Sequence, residues 1–283
     1  MAFSVRKLVM RPFRPSAPVI GVLRLSGVIG AAGRFRGGVN MAALAGPIEQ
    51  LFRISGLTAV ALVVNSPGGS PVQSAQIARR IRDLADEKSV PVFAFAEDVA
   101  ASGGYMLTLA ADEIYADPSS IIGSIGVISA GFGFQNLISK LGIERRVHTA
   151  GEHKGMLDPF RPEDPDDAAH LEMLQKEVHE VFKSLVRERR EGRLKGEEAQ
   201  LFSGRFWSGG RAVELGLIDG LGDIRTVMRE RYGEKARLKV VGTEQSVLKR
   251  LFGGSESRQP HMPAAEEWLM GLEARALWGR FGL

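Results

Sequence analysis

Two kinds of apolar pattern alternate along the first half of the chain. Val19–Leu25 is rich in β-branched residues and stops at Ser26-Gly27, which predicts a strand. Met41–Ile54 carries Leu44, Ile48, Leu51 and Phe52 at helical spacing. Thr58–Val64 is a continuous apolar run, as expected of a strand covered on both faces, and it breaks at Asn65-Ser-Pro-Gly-Gly69. Val72–Leu84 is helical again, with Ile77, Ile81 and Leu84 on one side. Pro91–Ala96 predicts another strand, and the small residues Ala100-Ala-Ser-Gly-Gly104 follow it. A short strand near Glu113–Ala116, a Gly/Ser-rich stretch at Ser119–Gly126, an apolar piece at Val127–Ile128, a helix at Gln135–Leu141 and an extended segment at Ile143–His148 complete this half.

The second half is more helical. Asp164-Pro165-Asp166-Asp167 combines an N-cap acid, a proline at the first helical position and acids in the first turn. Leu171, Leu174, Val178, Val181, Phe182 and Leu185 keep 3–4 spacing after it, which predicts one long helix. A helix at about Ile224–Arg231 and a strand at Arg237–Val241 come next. Residues 243–265 are polar with Gly, Ser and Pro. The tail from Glu266 has Trp268, Leu269, Leu272, Leu277, Trp278 and Phe281 in no clean stripe. The expected organisation is a basic arm at 1–17, one catalytic-type domain at 18–242, and a linker with tail at 243–283.

The β-α-β-α order predicts an α/β domain with a central, largely parallel sheet. Ligand sites in such sheets lie beyond the carboxyl ends of the strands. Both glycine-bearing segments, at Pro67–Ser70 and Ser102–Gly104, follow predicted strands directly.

Composition narrows the chemistry. The 283 residues include no Cys, which removes disulfide scaffolds, thiolate metal sites and any cysteine nucleophile. Gly is in excess at 34. The net charge of +4 is mildly basic. Its densest run is Arg187, Arg189, Arg190, Arg193 and Lys195, which falls where the long helix ends, so compensation of the helix dipole accounts for it and no nucleic-acid partner is expected. No apolar run approaches the roughly 18–20 residues of a membrane span. The N-terminus has Arg6, Lys7, Arg11 and Arg14 but no apolar region of the secretory type. The chain is therefore expected to be cytoplasmic or to touch the membrane peripherally, through the basic arm or the tail.

Phosphate-loop, dinucleotide, zinc-protease and Gly-x-Ser-x-Gly motifs are absent from the sequence. The five His residues show no metal-ligand spacing, so no metal or cofactor is expected. Ser102 remains. It follows a buried-type strand, has Ala101 and Gly103 as neighbours, and opens a helix-like segment. Serine is a favoured N-cap and needs no further role there. Against that, the small neighbours would admit a substrate backbone, and the backbone N–H groups at two strand ends could receive an oxyanion. A serine hydroxyl also needs a base, and without a histidine candidate a lysine is the option. A lysine amine in water titrates near 10.4, and holding it neutral at pH 7 costs about 4.6 kcal/mol. Such a base works only where burial lowers its pKa toward roughly 7–8. Lys154, in Gly151-Glu-His-Lys-Gly155, is the candidate; a solvated charge in a glycine-rich loop is the bland alternative.

Five segments in order resemble the signal peptide peptidase A family of bacterial serine peptidases, in its short single-repeat form. They are Asn65-Ser-Pro-Gly-Gly69, Ala100-Ala-Ser-Gly-Gly-Tyr105, Gly123-Ser-Ile-Gly-Val127, Gly151-Glu-His-Lys154, and Gly204-Arg-Phe-Trp-Ser-Gly209 with Leu215-Gly-Leu-Ile-Asp219. Lys154 lies 52 residues after Ser102, as in the family pattern. The resemblance runs from about residue 18 to 241. It implies a Clp-protease/crotonase-like fold and a Ser–Lys dyad, with Ser102 as nucleophile and Lys154 as general base. It further implies Gly69 and Gly103 as oxyanion-hole residues and Ser124 as the hydroxyl that orients the lysine.

By the same resemblance the substrates would be cleaved signal peptides or other hydrophobic peptides, processed through an acyl-enzyme without a cofactor. The chain would assemble into a homo-oligomeric ring in which a dyad can cross subunit boundaries. Many relatives carry a membrane-spanning helix before the catalytic part and this sequence shows none, which puts integral anchoring in doubt. Two other readings of such a fold are a crotonase-like acyl-CoA enzyme, which would need the two N–H groups but not Ser102 with Lys154, and a catalytically silent scaffold.

Overall fold

The strand β2 (Leu57–Ser66) runs through the middle of the molecule with seven of its ten residues buried. Val60, Leu62 and Val64 face the larger core, and Ala59, Ala61 and Val63 face a second, smaller one. An uninterrupted apolar run is what a strand packed on both faces requires. A computed structural model describes residues 17–30, 39–242 and 264–283. Most of the expected basic arm and nearly all of the expected linker lie outside the described residues.

β1 (Val19–Ser26) pairs in parallel with β2, and β8 (Arg237–Val241) pairs in parallel with β1 on its other side. β3 (Val92–Ala101) pairs in parallel with β2 and carries two partners in succession. Phe93–Ala96 bind β4 (Glu113–Ala116), and Val99–Ala101 bind β5 (Ile121–Gly123). β6 (Phe206–Ser208) closes that edge as the antiparallel partner of β5, and β7 (Gly220–Leu221) pairs with β4. The sheet is thus mixed but mostly parallel, with flanking helices: the α/β class read from the sequence.

α1 (Met41–Phe52) and α2 (Pro71–Lys88) cover the larger core through the residues their periodicity marked. These are Leu44, Ile48, Leu51 and Phe52 on α1, and Ile77, Ile81 and Leu84 on α2. The Asn40 and Ser70 side chains cap the two helices by accepting from Ala43 N–H and Gln73 N–H. The short helix α3 (Gly103–Thr108) is buried throughout. Its Tyr105 hydroxyl donates to Leu217 O at 2.7 Å, and burial pushes that hydroxyl well above the ordinary tyrosine range, so it stays a neutral donor.

The segment Ile143–His148 pairs with no strand among the described residues and belongs to an exposed arm beyond the short helix α4 (Gln135–Lys140). The long helix α5 (Pro165–Arg189) forms with Asp164 as its cap, but its apolar stripe is only half covered. Phe182 and Val186 are buried, whereas Leu174, Val178 and Val181 face solvent in the single chain. Periodicity reports which side of a helix is apolar, not what covers it.

The basic run after α5 does more than offset a dipole. Arg189 donates to Leu109 O and Ala111 O, and Arg193 to Asp112 O. Arg190, 2% exposed, donates to Gly216 O and to Asp219 at 2.7 Å. Asp219 also accepts from Arg193 and from Ile114 N–H, so one carboxylate ties the end of α5 to β4. Asp219→Ala would leave the Arg190 charge buried without its carboxylate partner. It is expected to destabilise the fold by about 3–5 kcal/mol in chemical denaturation; a loss under about 1 kcal/mol would contradict this account.

The remaining helices are α6 (Glu198–Leu201), α7 (Gly209–Glu214), α8 (Ile224–Tyr232) and α9 (Ala264–Gly279). α8 lays Val227 and Met228 on the second core. Beyond α9, Phe281 packs with Trp278 on Val99, Ala101 and Ile121, and its ring meets Phe206 edge-on at 5.1 Å. The tail therefore covers the sheet where β3 ends.

Candidate active site

Two strands end side by side at the carboxyl edge of the sheet. β2 stops at Ser66 and turns through Pro67-Gly68-Gly69 into α2; β3 stops at Ala101 and turns through Ser102 into α3. The turns are in contact. A Cβ placed on Gly68 would lie 2.8 Å from Ser102 Cβ, and one on Gly104 would lie 2.4 Å from Ser66 O. Only glycine permits this approach, and Gly68 also has φ +107°.

Ser102 has φ +53° and ψ −122°, a backbone state that side-chain-bearing residues rarely adopt. Its N–H donates to Gly123 O at 2.7 Å, and its carbonyl accepts from Met106 N–H at 3.0 Å. Its hydroxyl makes no capping hydrogen bond. The N-cap role that would have explained Ser102 without chemistry is therefore not what its side chain does.

The neighbouring N–H groups follow from the ladder. Ile29 N–H donates to Gly68 O at 2.8 Å, and Ser70 N–H donates to Ile29 O at 2.9 Å. In extended chain, successive peptide groups point to opposite sides. Gly68 C=O and Ser70 N–H face Ile29, so Gly69 N–H faces the other way, toward the start of α3. A Cβ on Gly103 would come within 3.4 Å of Gly69 N. Neither the Gly69 nor the Gly103 N–H donates to an acceptor among the described residues. Two unsatisfied donors thus converge beside one uncommitted hydroxyl.

Ser124 stands on the far side. Gly123 pairs with Ala101, and Ser124 N–H donates to Arg205 O at 2.7 Å, which holds the residue at φ +53° and 5% exposed. Ile125 O accepts from Gly204 N–H and lies 3.0 Å from His179 Nε2, fixing the segment from both directions.

Lys154 lies on the exposed arm beyond α4. It sits in a turn whose backbone closes from Lys154 N–H to Gly151 O at 3.2 Å, and its side chain is exposed. Among the described residues, no hydrogen bond or ion pair engages its amine. The arm that carries it is held together locally: the Phe134 and Phe160 rings meet at 5.6 Å, Arg145 lies over Phe160 at 4.6 Å, and Arg145 pairs with Asp158 at 2.9 Å. Ile128, Phe132, Leu137, Leu141 and Ile143 are all more than half exposed on this arm. Gly69, Ser102, Gly103 and Ser124 are brought together within one chain; among the described residues, no hydrogen bond or ion pair ties Lys154 to them.

Sequence reasoning passed over three contributors. Ser66 and Ile29 brace the Gly68–Gly69 turn, and Ser74, buried on α2, lies 2.5 Å from where a Gly103 Cβ would be. Ser66 stood inside a quoted motif without a role; Ile29 and Ser74 left no local signal, because their positions depend on the packed sheet.

The model of peptidase family S49 matches residues 85–238, more than half of the chain. The chain belongs to peptidase family S49. Its enzyme class is accordingly that of the serine peptidases, which are hydrolases. Curated relatives match at different lengths. A Methanocaldococcus jannaschii protein whose name marks it as a candidate protease is 33% identical over 73% of this chain and 66% of its own length. The chloroplastic serine protease SPPA of Arabidopsis thaliana is 34% identical over 57% of this chain and 24% of its own length. A Brucella abortus protein named as an Na(+)/H(+) antiporter is 50% identical over 99% of this chain, yet the chain spans only 39% of that relative. No helix among the described residues is long and apolar enough to cross a membrane. This chain therefore corresponds to part of that longer protein.

Proposed function

We propose that this chain is a serine endopeptidase in which Ser102 is the nucleophile and Lys154 the general base. The observation that carries the reading is the convergence at the strand ends: a hydroxyl without a capping role, on a strained turn, beside two N–H groups without acceptors. Neutral Lys154 takes the Ser102 proton as Oγ attacks a peptide carbonyl. The carbonyl oxygen becomes an oxyanion against the Gly69 and Gly103 N–H groups, and the developing charge there is what such donors stabilise. Collapse of the intermediate, with the lysine proton passing to the leaving amine, gives an ester on Ser102. Water, deprotonated by the same lysine, then hydrolyses that ester. The Ser124 hydroxyl is assigned to orienting the amine.

In the single chain Lys154 is solvated, and a base of this kind needs burial. We assign that burial to a second copy. The arm that carries Lys154 exposes a series of large apolar side chains, and α5 adds Leu174, Val178 and Val181. Seating these surfaces on a neighbour would bury them and bring one copy's Lys154 to another's Ser102. Homo-oligomerisation and completion of the dyad are then one event. Hydrophobic peptides, cleaved signal peptides among them, are the substrates proposed on the family likeness.

Rapid quenching of the purified assembly during turnover of an apolar peptide ester tests the chemistry. A peptide ester bond on Ser102, found by mass spectrometry, is the expected result. A turnover-competent enzyme with no covalent adduct, or with one on another residue, would sink the assignment.

A further inference from the structure

We propose that Ser66 is a positioning residue of this site, holding the Gly68–Gly69 turn so that the Gly69 N–H points at the substrate oxyanion. The proposal rests on the reading of Ser102 as nucleophile.

Ser66 is the last residue of β2 and is fully buried. Its backbone register still belongs to the sheet, opposite Ala100, two residues before Ser102. The ladder between β2 and β3 shifts just before it and ends with it. Gly68 N–H therefore has no strand partner to donate to, and Ser66 Oγ accepts that hydrogen bond at 3.2 Å. On its other side the same glycine is fixed by Ile29 N–H donating to Gly68 O at 2.8 Å. Gly68 is thus held at both its N–H and its C=O, in a conformation with φ +107° that has no side chain to restrict it. The next peptide group carries the Gly69 N–H, so its direction is set by these two bonds.

The Ser66 backbone also packs against the second turn, with its carbonyl 2.4 Å from where a Gly104 Cβ would sit. One residue therefore touches both strand ends, and its hydroxyl reaches only the Gly68 turn. Without the hydroxyl, the buried Gly68 N–H would lose its acceptor, and the turn could relieve this by rotating the peptide that aims Gly69. A donor aimed at charge that exists only in the transition state affects kcat rather than substrate binding. A hydroxyl that merely completed the fold would affect both alike, or neither.

The test compares Ser66→Ala with wild type in the assembled enzyme, using kcat and KM on a fluorogenic apolar peptide. It adds inhibition by a peptide boronate, whose tetrahedral adduct places an oxygen in the oxyanion position. Ground-state affinity is read as binding of the uncleaved peptide to Ser102→Ala with and without Ser66→Ala. The expected result is a fall in kcat of about 10–100-fold, a similar loss of boronate affinity, and KM and ground-state affinity within about twofold of the parent. Ser66→Cys, which keeps a weak acceptor at the same place, should fall between the two. It decides the matter if the alanine variant does not fold.

Unchanged kcat and boronate affinity in a folded variant would overturn the proposal. So would parallel losses of boronate and ground-state peptide affinity. A wild-type enzyme that hydrolyses peptides but forms no boronate adduct at Ser102 would instead overturn the nucleophile assignment, and this inference with it.

Discussion

Replacing Ser102 with Ala is expected to lower peptide hydrolysis by about 10⁴–10⁶-fold while leaving the melting temperature within a few degrees of wild type. The size follows from the mechanism: without Oγ no acyl-enzyme forms, and only binding and the two N–H donors remain. The mild effect on stability follows from the structure. The Ser102 side chain makes no capping bond, and the contacts that hold this turn, from Ser102 N–H to Gly123 O and from Met106 N–H to Ser102 O, are backbone bonds that alanine keeps. A residue at φ +53° with no structural use for its side chain is a site of stored strain, and strain of this kind collects where chemistry is done. Steady-state hydrolysis with a parallel thermal melt checks both halves. A variant that keeps more than about a tenth of the activity would remove Ser102 from the mechanism.

Lys154→Ala is expected to cost nearly as much, about 10³–10⁵-fold, and the double variant with Ser102→Ala to be no worse than the single ones. Groups that act as one unit are strongly non-additive. The two variants also report on assembly. Lys154 stands on an exposed arm and Ser102 at a strand end within the body of the fold. If the dyad is completed by a neighbouring copy, co-assembling Ser102→Ala with Lys154→Ala creates interfaces that pair an intact serine with an intact lysine. Part of the lost activity should then return, rising with the fraction of mixed assemblies. A mixture as inactive as its components would place both members of each dyad in one chain. Ile128 and Phe132, each more than half exposed, offer a second check: charged replacements there should dissociate the assembly and abolish hydrolysis together.

Much of the fold was legible because β2, α1 and α2 bury the side chains that their own spacing marks, so the pattern and the packing agree. The positions beside the glycines were legible for a related reason. A glycine pair after a buried strand is needed only where backbones must approach, and Gly68 and Gly104 each sit within 3 Å of the opposite turn by the measure of an added Cβ. The arm was less legible. The sequence marks Ile143–His148 as extended, but nothing in its composition announces that the segment is exposed. The spacing on α5 marks an apolar side but does not say what covers Leu174, Val178 and Val181, which are exposed in the single chain. Two short strands, β5 and β6, escaped because three residues are too few to show alternation, yet Gly123 on β5 is what receives the Ser102 N–H. The Arg190–Asp219 bond joins residues from separate segments, and no local pattern announces it.

The central claim is that one hydroxyl, Ser102, is activated in this chain. Labelling of the assembled wild-type enzyme with a fluorophosphonate, followed by peptide mapping, tests it most directly. The account predicts one adduct, on Ser102, lost in Ser102→Ala and formed far more slowly in Lys154→Ala. Labelling of a different residue, or equal labelling rates with and without the Lys154 amine, would contradict it.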